Sequence, residues 1–290
     1  MSAARGNAAV GWSAVSHGRR SCVFCGGPAN SREHVFKKDF KKKLGITDPL
    51  DRAFTQRDGN GVVTRRPDPL FESKVRRVCK QCNNTWMNHL DLHVEHWILD
   101  PDDRAAYEGC DPTQFRRWAI KLALMRSLLD TATFVPREYF QDLFQGHDIE
   151  DWHVFVGRAS FKEYRHAFSH FGVGLDAAAR NMTHGLIHAS WALGTAVVSA
   201  ACVRGLNPKT DFFPDFRRYN RMMKEPLVEI PYGAAAMPDV FGHRKLGAFQ
   251  TEPFFMFYTL EPVSPYAAEM KKTYDMIHAL ARSYGLPSTT

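Results

Sequence analysis

Two cysteine pairs with the same spacing constrain this chain more than any other feature. Cys22 and Cys25 are separated by two residues, and so are Cys79 and Cys82. Four thiolates from two such turns form a common tetrahedral ligand set of structural zinc. Six cysteines in 290 residues are too few for a disulfide scaffold. We therefore predict a structural Zn²⁺ bound by the two pairs, and we assign the other two cysteines no role.

The interval between the pairs shows that this is not a plain zinc ribbon. Cys25 and Cys79 are separated by 53 residues, whereas a common ribbon has about 15–20 residues there. The intervening segment contains the dipeptide Glu33-His34 and a run of lysines, and the second pair is followed directly by Asn83. We expect this insert to carry the chemistry of the region.

These three residues are suited to metal-assisted hydrolysis of a phosphodiester. A carboxylate such as Glu33 and an amide oxygen such as Asn83 are hard ligands of the kind that Mg²⁺ and Mn²⁺ prefer. A neighbouring histidine such as His34 can act as a general base near neutral pH. The sequence thus supplies ligands for a divalent ion and a base that can activate water.

The order of these motifs resembles the zinc-containing HNH endonucleases, and in particular their endonuclease VII-like members. The matching segments run from Ser31 to Phe36 and from Val78 to Met87, and the resemblance covers about residues 20–98. It implies a ββα-metal fold in which the four cysteines bind a structural zinc. It also implies that His34 is the general base, and that Glu33 and Asn83 hold the catalytic Mg²⁺ or Mn²⁺.

The chain departs from this family at several positions. Glu33 stands where many members have aspartate, and Phe36 stands where a proline is frequent. The middle asparagine of the family is absent from residues 74–78. Asn60 and Asn84 are the candidates to replace it.

Three histidines follow the second cysteine pair along one flank of a predicted helix. His89 and His93 are four residues apart, a spacing that can clamp a metal. His96 lies further along the same flank. We favour a polar helix flank over a metal site here, because no acidic residue at the right spacing completes a ligand set. His89 or His93 as an extra catalytic ligand is the alternative.

The excess positive charge lies entirely in the first third of the chain. Residues 1–99 contain 17 Lys and Arg against 9 Asp and Glu, whereas the remaining residues contain 21 against 22. Such an uneven distribution is typical of a module that binds a polyanion. The predicted nucleic-acid-binding residues are Lys37, Lys38, Lys41, Lys42, Lys43, Arg76, Arg77 and Lys80.

The patterns along the chain predict an α+β protein. We expect a flexible N-terminus at 1–20, a zinc-bound ββα-metal domain at 21–100, and a mixed α+β domain of unknown role at 101–290. Turn signals at 58–61 predict a small hairpin within 53–65, and apolar spacing predicts a helix over 86–98. Further elements are predicted as helices from Asp111, at 136–144 and at 264–285, strands at 152–156 and 254–260, and a hairpin at 184–203 that turns near Gly194.

The sequence also bears on where the chain acts. The first residues lack the basic start and apolar run of a signal peptide, so we expect a cytoplasmic location. Residues 181–203 carry no Asp, Glu, Lys or Arg, but they are too polar for a membrane span, and we expect buried strands there and no membrane association. No oligomeric state is favoured.

These observations favour an HNH-type endonuclease that hydrolyses phosphodiester bonds, with DNA the expected substrate and RNA the second choice. The alternative is a zinc-stabilised nucleic-acid-binding protein without catalysis, which the missing middle asparagine favours. A third hypothesis is a protein–protein module in which zinc only stabilises the fold.

Overall fold

The computed structural model of the chain describes residues 21–45, 71, 73–129, 135, 137–160, 189–202 and 226–246, and the backbone of strands at 54–57, 63–66, 167–175, 185–188 and 203–204. The N-terminus predicted to be flexible, the strand predicted at 254–260 and the helix predicted at 264–285 lie outside these residues. The described part mixes helices with antiparallel strands, which confirms the α+β class.

A short two-stranded sheet followed by a helix carries the residues that the sequence singled out. Strand β1 (Glu33–His34) pairs antiparallel with a strand 40 residues later, with Glu33 opposite Val75 and His34 opposite Lys74. The other elements of this region are α1 (Lys38–Lys43), β2 (Phe54–Arg57), β3 (Val63–Arg66), β4 (Lys74–Val75), α2 (Lys80–Cys82), a π-helical turn (Asn83–Met87) and α3 (Asn88–Leu99). The antiparallel pairing of β2 with β3 confirms the predicted hairpin.

The second cysteine pair forms the start of the helix. Cys79 is the N-cap of α2, and its sulfur accepts a hydrogen bond from the backbone N–H of Cys82 at 3.3 Å. The chain then continues without a break through the π-helical turn into α3. Met87, Leu90 and Val94 are buried on one side of this continuous helix, as their spacing predicts.

Three more helices follow position 100. They are α4 (Arg104–Glu108), α5 (Pro112–Ser127) and α6 (Arg137–Phe144). The side chain of Asp111 accepts a hydrogen bond from the N–H of Gln114 at 2.8 Å, which confirms the predicted helix start. Gly146 has a φ of +90° just after α6, a conformation that glycine adopts without strain and that ends the helix as predicted.

A five-stranded antiparallel sheet forms the second half of the described chain. Its strands are β5 (Trp152–Arg158), β6 (Ala167–Leu175), β7 (Gly185–Leu193), β8 (Ala196–Arg204) and β9 (Leu227–Ile230), in the spatial order β6-β7-β8-β5-β9. Leu193 pairs with Ala196 across a two-residue turn at Gly194, where φ is +59°. The hairpin predicted at 184–203 is thus confirmed, and among the described residues no helix is long and apolar enough to cross a bilayer.

Helix α5 packs between the sheet and the cysteine-bearing region. The ring of Trp118 lies 5.8 Å from that of Trp191 in β7, and its Nε1 donates to Asp91 in α3 at 3.0 Å. The ring of Phe24, between the first two cysteines, lies 5.4 Å from that of Phe140 in α6. One buried apolar cluster therefore continues across position 100, and the predicted division into domains at that position stays a prediction.

Candidate functional site

The four paired cysteines gather around one point. The sulfur of Cys22 lies 3.8 Å from that of Cys82, and the sulfur of Cys25 lies 3.6 Å from that of Cys79. All four sulfurs lie within 4.8 Å of one another. Four thiolates at about 2.3 Å from a tetrahedral zinc are about 3.8 Å apart, so this spacing fits a single ion. The predicted cluster is confirmed, and it can hold a metal ion such as zinc.

Backbone hydrogen bonds hold the two cysteine turns against each other. The N–H of Val23 donates to the carbonyl of Arg77 at 2.9 Å, and the N–H of Ser31 donates to the carbonyl of Val78 at 3.1 Å. Within the first turn, Gly26 has a φ of +79°, which an L side chain rarely adopts. The backbone as well as the sulfurs therefore fixes the geometry of the cluster.

The electrostatics of the thiols also suit a cation. Cys25 is exposed and the other three are buried. Burial raises the pKa of the Cys82 thiol far above its ordinary value. Burial acts in the same direction on Cys79, but the N–H of Cys82 and the neighbouring thiols outweigh it, so the pKa of Cys79 is lowered. A bound cation favours all four thiolates and releases their protons.

Glu33 and His34 are consecutive residues of β1, where Glu33 is eight residues beyond Cys25, and both are half-buried. Burial raises the pKa of Glu33 to about 7, with Lys121 lowering it and Asp91 raising it. No hydrogen bond from the described residues reaches the Glu33 carboxylate. A cation near such an acid would favour its ionised form.

Asn83 opens the π-helical turn directly after Cys82, the last cysteine of the four-cysteine cluster. Its Nδ2 donates to the hydroxyl of Ser31 at 3.3 Å, and Ser31 precedes Glu33 by two residues. This contact brings Asn83 to the segment that enters β1 and leaves its amide oxygen for another partner. The donor set of Glu33 and Asn83 is therefore compatible with Mg²⁺ or Mn²⁺, and their role as ligands, with His34 as base, stays a prediction.

The predicted nucleic-acid-binding residues fall into two groups. The ammonium of Lys37 lies 2.6 Å from the carboxylate of Glu95 in α3, and Lys43 pairs with the same carboxylate. Any phosphate would compete with Glu95 for these two lysines. The others are Lys41 and Arg77, which are half-buried, and Lys38, Lys42, Arg76 and Lys80, which are exposed.

The Glu95 clamp, in which Lys37 and Lys43 hold one carboxylate, has a testable consequence for stability. Burial acts to raise the pKa of Glu95, but the two lysines outweigh it, so the pKa is lowered. The stabilisation is therefore present above the ordinary carboxyl pKa of about 4.3 and is lost as the pH falls through the lower folded value. We expect Glu95→Gln to lower the free energy of unfolding by about 2 kcal/mol at pH 7 and by less near pH 3.

Urea unfolding at the two pH values measures this effect. The matched control is Glu108→Gln, which removes an exposed carboxylate from an i, i+4 pair with Arg104 and should change stability by less than about 0.5 kcal/mol. Equal free energies of unfolding for Glu95→Gln and the parent at pH 7 would contradict a stabilising role of the Glu95 clamp.

The histidine flank of α3 has a structural role at one position. The Nε2 atom of His93 accepts a hydrogen bond from the backbone N–H of Asp111 at 2.9 Å, so its ring holds the start of α5. His89 and His96 are exposed. Within the described residues, the four cysteines are the one group of three or more His, Cys, Asp or Glu side chains whose ligand atoms converge, and the polar-flank interpretation stays a prediction.

Sequence reasoning missed a buried pair of opposite charges between α3 and α5. The ammonium of Lys121 in α5 lies 2.5 Å from Oδ1 of Asp91 in α3, and both side chains are buried. One signal was present in the sequence: Asp91 and Glu95 are four residues apart, within the apolar stripe formed by Leu90 and Val94. Acids on that face of a helix require buried partners.

Comparison of the chain with models of protein families, with curated proteins and with solved structures finds no match. The functional interpretation therefore depends on the residues and their geometry.

Proposed function

We propose that this chain is a metal-dependent nuclease of the zinc HNH type that hydrolyses phosphodiester bonds in DNA. The observation that supports it best is the arrangement of the N-terminal region. Two antiparallel strands precede a helix, Glu33-His34 lies on the first strand, and Asn83 lies at the start of the helix. The four-cysteine cluster lies where the second strand enters that helix.

The proposed chemistry assigns one role to each residue. The carboxylate of Glu33 and the amide oxygen of Asn83 hold one divalent ion. Such an ion neutralises charge on the phosphate and stabilises the leaving oxygen. The imidazole of His34 accepts a proton from the attacking water through a ring nitrogen. The metal bound by the four cysteines has a structural role and keeps the strand and the helix together.

The exposed basic side chains position the nucleic acid in this proposal. Contacts to phosphates fix the register of DNA on a protein without reading its sequence. Lys42 on α1 and Arg76 beside β4 are exposed and carry the charge such contacts need. Lys37 and Lys43 contribute less, since Glu95 already pairs with both.

DNA binding should therefore depend on the exposed residues and on salt. We expect the double variant Lys42→Ala, Arg76→Ala to bind duplex DNA more weakly. When the logarithm of its binding constant is plotted against the logarithm of the salt concentration, the magnitude of the negative slope should fall by about 1 for each phosphate interaction that the substitutions remove. Fluorescence anisotropy at several salt concentrations measures both quantities.

The control variant is Arg244→Ala, which removes one exposed positive charge far along the chain from the basic region. It should leave the slope unchanged. Parent-like binding and slope in the double variant would contradict this placement of the DNA.

Cleavage with increasing metal tests the proposed function itself. The parent should nick supercoiled plasmid as Mn²⁺ is added, and Asn83→Ala should need a higher Mn²⁺ concentration for half-maximal rate because one ligand is removed. Gln81→Ala is the matched control, since Gln81 is exposed two residues before Asn83. The absence of nicking by the parent at every Mn²⁺ concentration would contradict the proposal, and DNA binding without cleavage would favour the non-catalytic alternative.

A further inference from the structure

Helix α3 places one carboxylate between the lysines at the two ends of α1. The ammonium of Lys37 lies 2.6 Å from Oε2 of Glu95, and the ammonium of Lys43 pairs with Oε1 of the same side chain. The Glu95 side chain is 11% exposed, whereas that of Lys37 is 18% exposed and that of Lys43 is 46% exposed. Each carboxylate oxygen of the Glu95 clamp therefore has its own ammonium, and the carboxylate is almost fully covered.

The Glu95 carboxylate resembles, in charge and in acceptor atoms, the group that DNA presents to a protein. A phosphodiester also carries one negative charge and two terminal oxygens, and lysine ammonium groups form charge-assisted hydrogen bonds with both kinds of anion. The three ionised side chains of the clamp carry one net positive charge, whereas the two lysines without Glu95 would carry two. Glu95 therefore takes up positive charge that a phosphate could otherwise use.

Apolar contacts hold α1 in place independently of the clamp. Phe40, in the middle of the helix, is 1% exposed and belongs to the buried apolar cluster. Leu44, the C-cap of the helix, packs against the same cluster. Burial of apolar side chains is enough to dock a short helix, so α1 can stay in place when Glu95 no longer pairs with the lysines.

We propose that Glu95 is an autoinhibitory residue of the DNA-binding surface, which holds Lys37 and Lys43 away from the phosphates and keeps the affinity for DNA low. This inference rests on the proposed function, because it takes DNA as the ligand of the basic residues. Helix α1 follows β1 along the chain, and Lys37 follows His34 by three residues. Loss of the Glu95 charge thus frees two ammonium groups on the segment that follows the candidate base.

Fluorescence anisotropy of a labelled DNA duplex at several salt concentrations tests this role in Glu95→Gln. The variant keeps the size of the side chain but loses the charge that pairs with the two lysines. We expect it to bind DNA about tenfold more tightly at low salt. In a plot of the logarithm of the binding constant against the logarithm of the salt concentration, the magnitude of the negative slope should rise by about 1–2, since each phosphate contact contributes about 0.9.

Stability and affinity should change in opposite directions in this variant. Loss of the clamp lowers the stability of the fold, whereas release of the lysines tightens DNA binding. A contact with a merely structural role would lower the stability and leave the slope of the salt dependence unchanged. The slope therefore separates the two roles of Glu95.

Asp39→Asn is the matched control, since Asp39 is an exposed acid on α1 itself. It changes the net charge by the same amount as Glu95→Gln but leaves the clamp intact, so the slope should stay at the parent value. An equal change of affinity and slope in both variants would overturn the proposal, because the effect of Glu95 would then be one of net charge alone.

Two consecutive lysines of α1 test the same role with Glu95 in place. Lys42 is exposed, whereas Lys43 belongs to the clamp. Lys42→Gln should reduce the magnitude of the slope by about 1, and Lys43→Gln should leave it unchanged. If Glu95→Gln does not fold, this comparison still decides the matter, since an equal reduction in both lysine variants would overturn the proposal.

Two further results have distinct meanings. Parent-like affinity and slope in a folded Glu95→Gln variant, with salt-sensitive binding by the parent, would overturn the autoinhibitory role and leave the nuclease proposal standing. Absence of DNA binding by both the parent and Glu95→Gln would overturn the DNA-binding surface and the role of Glu95 together.

Discussion

Replacement of His34 by alanine should lower the rate of DNA cleavage by about a thousand-fold, because a general base contributes about 10²–10⁴ to a hydrolysis rate. His34 lies on the first strand of the two-stranded sheet, directly after the candidate metal ligand Glu33. Its replacement removes the proton acceptor and leaves the cysteine cluster and the basic surface in place. Single-turnover cleavage of a labelled duplex measures the rate of the chemical step.

The control for this prediction is His96→Ala. His96 is exposed on the helix that follows the cluster, and its replacement should leave cleavage unchanged. Both variants should bind zinc and DNA like the parent. A His34→Ala variant that binds DNA normally and cleaves it at the parent rate would remove His34 from the mechanism.

Loss of one ligand of the four-cysteine cluster should have the largest effect on folding. Cys82 is buried, its sulfur lies 3.8 Å from that of Cys22, and it precedes the helix that carries Asn83. Structural zinc sites contribute about 10–16 kcal/mol to folding in small zinc peptides, so we expect Cys82→Ser to lose zinc and unfold the N-terminal region. Zinc stoichiometry and limited proteolysis measure these two effects.

Cys110→Ser is the matched control, since Cys110 is buried but lies outside the four-cysteine cluster. It should keep one zinc per chain and resist proteolysis like the parent. Full zinc content and parent-like resistance in Cys82→Ser would show that the cluster does not hold the metal.

The sequence predicted the features that short-range patterns encode. Equal spacing in the two cysteine pairs predicted the cluster, since each pair is a local turn and zinc requires four ligands. Asp111 and Gln114 marked the start of α5, because an N-cap depends on residues within one turn. Gly194 marked the turn of the β7–β8 hairpin for the same reason.

The buried charges could not be predicted in the same way. Lys37 pairs with Glu95 across 58 positions, and Asp91 pairs with Lys121 across 30. A lysine run in a sequence is typical of an exposed basic face. The packing of α1 on α3 is what shows that Lys37 and Lys43 pair with Glu95. Asp91 and Glu95 lie within the apolar stripe of α3, a position where an acid needs a buried cation as its partner. Which cations serve as partners depends on which helices pack against α3.

Charge composition also suggested a boundary at position 100, and the division into domains there stays a prediction. The excess of basic residues ends there. Trp97 in α3 contacts Phe115 in α5, with ring centroids 5.4 Å apart. The charge balance of a segment depends mainly on its surface residues, whereas the extent of the core depends on buried side chains on both sides of that position.

Plasmid cleavage by the zinc-loaded full chain, without added divalent metal and then with Mg²⁺, tests the central claim most directly. The account predicts intact supercoiled plasmid without added metal and nicked or linear plasmid with Mg²⁺, together with loss of cleavage in His34→Ala at unchanged DNA binding. Intact plasmid at every concentration of Mg²⁺ and Mn²⁺, despite salt-sensitive DNA binding, would contradict it.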